Sequence, residues 1–139
     1  MPPNYPAQDY GQLLDRAHNA GMGTIGIRVL AGGALTGGET RHPLASPAPD
    51  PIGSAASFRS DVERARRLEP LVREGHASSL IEAALRFVIA QPALTTVLIG
   101  TSTIEQFELA AAAVERGPLS RAALDRVAAL QAGFVGEAR

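Results

Sequence analysis

The chain is predicted to be a parallel α/β protein on three observations. Two short runs rich in β-branched residues, Thr24-Ile25-Gly26-Ile27-Arg28-Val29-Leu30 and Thr95-Thr96-Val97-Leu98-Ile99, read as strands. Their apolar residues barely alternate with polar ones, as in strands covered on both faces. Amphipathic helical segments precede, separate and follow them, and strands alternating with helices signal parallel α/β architecture. Two strands are too few for a sheet that satisfies its own edges, so the chain reads as incomplete when taken alone.

Each element has its own local reason. Asp9 caps a first helix, with Gln12 in capping-box register; Tyr10, Leu13, Leu14 and Ala17 share a face, and Gly21 stands at the C-terminal glycine position. The first strand ends in Ala31-Gly32-Gly33. Residues 37–57 carry Pro43, Pro47, Pro49 and Pro51 and no periodicity, so they read as a long loop of the kind that is usually functional or disordered. Ser57 to Gly75 is helical, broken in two at Pro70. Ser79 with Glu82 forms a second capping box, and Ile81, Ala84, Leu85 and Val88 share the next helix's apolar face until Gln91-Pro92 stops it. After the second strand comes a helix whose Ile104, Phe107, Ala111 and Val114 are expected to point inward, ending at Gly117-Pro118. The last helix is capped by Ser120, with Leu119 and Leu124 spaced as a hydrophobic staple and Ala123, Leu124, Val127 and Leu130 on its apolar side.

Composition narrows the function. With 139 residues the chain is at most one domain, and a net charge of −1 gives no electrostatic case for nucleic acid or an anionic membrane. No stretch approaches the roughly 20 apolar residues of a membrane span. The N-terminus lacks the basic and apolar regions of a secretory signal, so a soluble, cytoplasmic protein is expected. Cysteine is absent, which removes disulfides and thiolate chemistry. His18, His42 and His76 are scattered without metal-ligand spacing, so no metal site is expected. All 13 cationic side chains are arginine, and no catalytic or phosphate-loop lysine exists anywhere in the chain.

The stretch Thr95–Gln106 is the most informative. A β-branched run ends at Gly100, hydroxyl residues Thr101, Ser102 and Thr103 follow, and a helix begins there. Such a turn presents backbone N–H groups at a helix N-terminus, where the dipole favours an anion such as phosphate. A tight strand-to-helix connection with an ordinary N-cap explains the same residues. Gly32-Gly33 reads equally as a close approach to a ligand or as a strand-end turn at positive φ. Arg64, Arg66 and Arg67, interleaved with Asp61, Glu63 and Glu69, read as a solvated, ion-paired helix face. Arg28, inside an apolar strand, reads first as half of an interior ion pair and second as a substrate or cofactor contact. No G-x-S-x-G elbow is present, since Ile104 stands where its second glycine belongs.

Three stretches in order resemble the aldo/keto reductases, (β/α)8 barrels that bind nicotinamide dinucleotides. Gly21–Gly37 resembles the family's seventh strand and its Pro-Leu-Ala-x-Gly-x-Leu loop. Ser79–Pro92 resembles the following helix, and Val97–Gln106 the eighth strand with the start of its helix. The resemblance runs from about Asp9 onward and implies the C-terminal portion of a (β/α)8 TIM barrel: the seventh and eighth βα units plus the C-terminal helix over residues 1–139. Loops after strands 7 and 8 often form the phosphate site of such barrels. It further implies that Leu30, Ala31 and Gly32 lie along the pyrophosphate of NADP or NAD. Gly100, Thr101, Ser102 and Thr103 would surround the adenosine 2′-phosphate or its ribose, and Gln106 would pack against the adenine.

The departures are specific. Leu109-Ala110 replaces a frequent Glu-Asn pair that contacts adenine, and Gly100 stands where many members have lysine. The family's Asp-Tyr-Lys-His tetrad, whose tyrosine is the general acid, has no counterpart here; Tyr5 and Tyr10 do not match it. No catalytic residue is therefore assigned, and the chain alone is expected to turn nothing over. The intact barrel would reduce a small carbonyl or oxidise a sugar-like alcohol. Two alternatives stand beside this reading. One is a weak nucleotide-binding module, alone or completed by a separate N-terminal half; the other is a self-associating helical protein.

Overall fold

The computed structural model describes residues 10–45 and 57–134. Two parallel strands, β1 (Ile25–Gly26) and β2 (Thr96–Val97), pair with Ile25 opposite Thr96 and Gly26 opposite Val97. A reciprocal threonine clasp precedes the ladder. The Thr24 N–H donates to Thr95 Oγ1 and the Thr95 N–H to Thr24 Oγ1, both at 3.0 Å, while the Thr24 hydroxyl donates to the Ala93 carbonyl at 2.5 Å. Beyond it the Leu98 N–H reaches the Gly26 carbonyl at 2.8 Å. The ladder is far shorter than the apolar runs that predicted it. Strand hydrogen bonds exist only where a neighbour supplies partners, and each strand has one neighbour among the described residues. The first run also leaves extended geometry at Arg28, whose φ is +58°. A 3-10 segment, Ala31–Thr36, then occupies the expected glycine loop, with Gly32 and Gly33 at positive φ.

The helices follow their predicted starts and stops. Helix α1 (Tyr10–Asn19) ends in a Schellman motif: Gly21 sits at φ +69°, its N–H bonds to His18, and the Met22 N–H returns to Ala17 at 2.9 Å. Its proposed cap, Asp9, lies outside the described residues, as does most of the loop 37–57. Ser57 caps α2 (Phe58–Arg66), and Pro70 opens α3 (Pro70–Arg73) at a position where its missing N–H costs nothing. Ser79, Thr103 and Ser120 each accept the N–H three residues on, starting α4 (Leu80–Val88), α5 (Ile104–Glu115) and α6 (Arg121–Ala132).

Two apolar clusters hold these helices. Leu71, Ala77, Ala83, Leu119, Ala123 and Val127 join α3, α4 and α6, and Leu124 and Leu130 pack on them as the last helix's pattern predicts. Leu85, Ala110 and Ala113 join α4 to α5 and touch Val29, Leu30, Ile81 and Ile99 at the strand ends. Here one expectation is corrected. The α5 residues read as inward, Ile104, Phe107 and Val114, are exposed, and the buried face is Ala110 and Ala113. Alanines let α5 approach α4 closely, and its large side chains lie outside that contact. On α1, Leu13 is 56% exposed while Leu14 and Ala17 are half-buried. The arginine cluster also departs from a purely ion-paired face. Arg64 and Arg67 stack over the Phe134 ring, each 5.7 Å from its centroid, and Arg66 Nε donates to the Gly37 carbonyl at 2.9 Å.

Candidate functional site

The C-terminal ends of β1 and β2 open into one cavity of about 530 Å3, within the roughly 300–1,000 Å3 of small-molecule sites. Six of the eight sequence-selected residues line it: Leu30, Gly32, Gly100, Thr101, Ser102 and Gln106. They come from two loops far apart in sequence, brought together by the parallel pairing of the strands. The other two stand in the same loops but not on the wall. Ala31 begins the 3-10 segment, its N–H bonded to the Arg28 carbonyl at 2.8 Å, and Thr103 is the α5 N-cap.

The α5 N-terminus is less open than the sequence implies. The Ser102 N–H donates to Gln106 Oε1 at 2.7 Å and the Gln106 N–H to Thr103 Oγ1 at 3.3 Å. The Glu105 carboxyl is held below the usual range by its own backbone N–H and then by the Thr103 hydroxyl. These side chains satisfy part of what the helix start offers an anion. The amides of Gly100 and Thr101 have no partner among the described residues. Gln106 thus caps its own helix and lines the cavity at once.

Sequence reasoning missed the opposite wall. Thr36, Gly38, Thr40, Arg41 and His42 all line the cavity, although their segment has no periodicity to mark them. Arg41 pins that segment: its Nη1 donates to the Gly32 carbonyl at 2.5 Å, and its guanidinium lies 5.6 Å from the Phe58 ring centroid. Gly33 makes room for it, because a Cβ there would come within 3.3 Å of Arg41 Nη1 at a φ of +102°. Val29, Ile81, Leu98, Ile99 and Leu109 supply apolar surface.

Among the described residues the charge in the cavity has one sign: Arg28 and Arg41 line it, and no described acidic residue does. The interior ion pair expected for Arg28 is not formed with any described residue; the side chain is exposed on the cavity wall. A non-glycine residue at its φ of +58° carries strain of roughly 1–2 kcal/mol. No group of histidine and carboxylate residues that could hold a metal exists among the described residues. Arginine, hydroxyl and free amide donors stand there beside an apolar wall, and such donors pair with oxyanions.

The fold and this cavity define a parallel α/β protein with an anion-compatible site at its strand C-termini. The chain belongs to the aldo/keto reductase family: the family model described as "Aldo/keto reductase family" matches residues 5–132. That family implies an oxidoreductase and a TIM-barrel fold, and the two parallel strands with their helices are consistent with part of such a barrel. Its members generally use NAD(P)H and act on small carbonyl substrates. No curated protein matches the chain. No helix among the described residues is long and apolar enough to cross a membrane.

Proposed function

We propose that this chain is the C-terminal portion of an aldo/keto reductase barrel, its seventh and eighth βα units and last helix, and that it carries the adenosine-phosphate side of a dinucleotide site. One observation supports this above all others: Leu30 and Gly32 share a single cation-lined cavity with Gly100, Thr101, Ser102 and Gln106. When bound in a complete barrel, the nicotinamide exchanges hydride with a small carbonyl or sugar-like alcohol. The residues of this chain bind and orient. Backbone at Leu30–Gly32 would hold the pyrophosphate, the loop Gly100, Thr101, Ser102 and Thr103 would hold the ribose or its phosphate, and Gln106 would contact the adenine. Proton donation is not among their roles, because the chain has no lysine to lower a tyrosine's pKa. Such a protein acts in the cytoplasm.

The test is calorimetric titration of the full chain with NAD and NADP, followed by an assay of NADPH-linked carbonyl reduction. Binding without turnover is expected. Turnover by this chain alone would refute the reading, and so would failure of both dinucleotides to bind.

A second reading, a non-catalytic module that self-associates or completes a barrel with a separate N-terminal half, is favoured by the strands. Ile25, Ile27 and Leu98 are 60%, 66% and 57% exposed, and apolar strand residues are ordinarily covered.

A further inference from the structure

We infer that Arg28 is the oxyanion-recognising residue of the cavity, so that the ligand bound there presents a phosphate or a carboxylate to it. Three observations converge on this side chain. It lines a cavity that no acidic residue among the described ones lines, and it has no ion-pair partner among them. An arginine in that position presents a planar fork of donors matched to an oxyanion. The cavity's other arginine is already engaged, since Arg41 donates to the Gly32 carbonyl and lies over Phe58. Finally, Arg28 holds a left-handed φ of +58° that glycine would adopt freely. Strain of this kind, kept at a cavity wall, is where backbone outliers concentrate when the side chain has work to do. Its position agrees: Arg28 lies two residues beyond the last pair of the ladder, Gly26 with Val97, and lines the same cavity as Ile99 and Gly100.

The inference rests on the cavity being a ligand site but not on which oxyanion fills it. The pyrophosphate of a dinucleotide and the carboxylate of an acidic substrate are the two sources. The full chain and its Arg28→Gly and Arg28→Lys variants are titrated with NAD, ADP, inorganic pyrophosphate and glutarate, and the thermal midpoint of each variant is measured. We expect Arg28→Gly to weaken ADP and pyrophosphate at least tenfold while the midpoint stays level or rises, and Arg28→Lys to keep most of the affinity. A loss confined to glutarate supports the inference with a substrate carboxylate as the source. Unchanged affinities in Arg28→Gly overturn it, and if NAD still binds, the dinucleotide reading survives that result. A midpoint that falls in Arg28→Gly together with all affinities makes Arg28 structural and also overturns it. Wild-type chain that binds none of the four probes sinks both the inference and the cofactor reading.

Discussion

Glu82 and Arg86 form a shielded ion pair one helical turn apart, with Nη1 to Oε1 at 2.8 Å and side chains only 6% and 16% exposed. The pair does more than support α4. Arg86 Nε donates to the Gly117 carbonyl at 2.9 Å and Nη2 to the Pro118 carbonyl at 3.2 Å, so two carbonyls of the turn after α5 are satisfied from α4. The Arg86 carbonyl in turn accepts the Leu119 N–H at 3.1 Å, and Glu82 also accepts from the Ser78 N–H and hydroxyl and from Arg116. This clamp fixes the α5–α6 turn and thereby the helix behind the cavity.

Arg86→Ala is expected to cost about 3 kcal/mol, the low end of the range for breaking a buried pair, because Glu82 keeps Ser78 and Arg116. Urea denaturation followed by circular dichroism reads this directly. A loss below about 1 kcal/mol would mean that the pair behaves as an exposed one.

The same carboxylate makes stability depend on acid. Burial alone would raise the Glu82 pKa, but hydrogen bonds from Ser78 and Arg86 outweigh it and hold the group below its ordinary value of 4.5. A depressed folded-state pKa contributes stability above the unfolded value and loses it as pH falls through the folded one. Wild type is therefore expected to exceed Glu82→Gln at neutral pH, with the gap closing below about pH 4.5. A gap that widens on acidification would reverse the sign of the coupling.

The Thr24–Thr95 clasp extends a ladder of only two residue pairs. Thr95→Val removes the acceptor of the Thr24 N–H and should cost about 1 kcal/mol. Amide hydrogen exchange at Thr24 should accelerate by the corresponding factor of about five. Unchanged protection would show that the strands are held by their flanking helices alone.

The exposed α5 side chains of Ile104 and Phe107, at 72% and 59% exposure, are predicted to make the chain associate. Sedimentation equilibrium should show species larger than the monomer at micromolar concentration, reduced in an Ile104→Gln, Phe107→Gln double variant. A wild-type chain that stays monomeric throughout would contradict this.

Local chemistry was legible in the linear sequence because it is decided within a few residues. Ser79 and Ser120 cap the helices they were expected to cap, Pro70 opens a helix after the predicted break, and Gly21 closes α1. Even here the reciprocal half of the capping box is displaced. Glu82 and Gln106 reach one residue beyond the cap, to the amides of Ser78 and Ser102. The glycine and hydroxyl loops were legible as candidate ligand contacts for the same reason, and their residues do meet on one cavity wall.

The remainder depends on long-range packing, which periodicity cannot report. The apolar positions of α5 show that a helix is amphipathic but not which face its neighbour takes, and α4 takes the alanines. An apolar run marks a potential strand, but the number of paired residues depends on neighbouring strands. Arg28 looked like a strand residue, since nothing in its type announces a left-handed φ. Arg41 reached the cavity from a segment without pattern because Gly32 offers a carbonyl and Phe58 a ring face. Caps, breaks and turns follow from residue chemistry over one helical turn; burial, pairing and the charge of the cavity follow from contacts between residues distant in the chain.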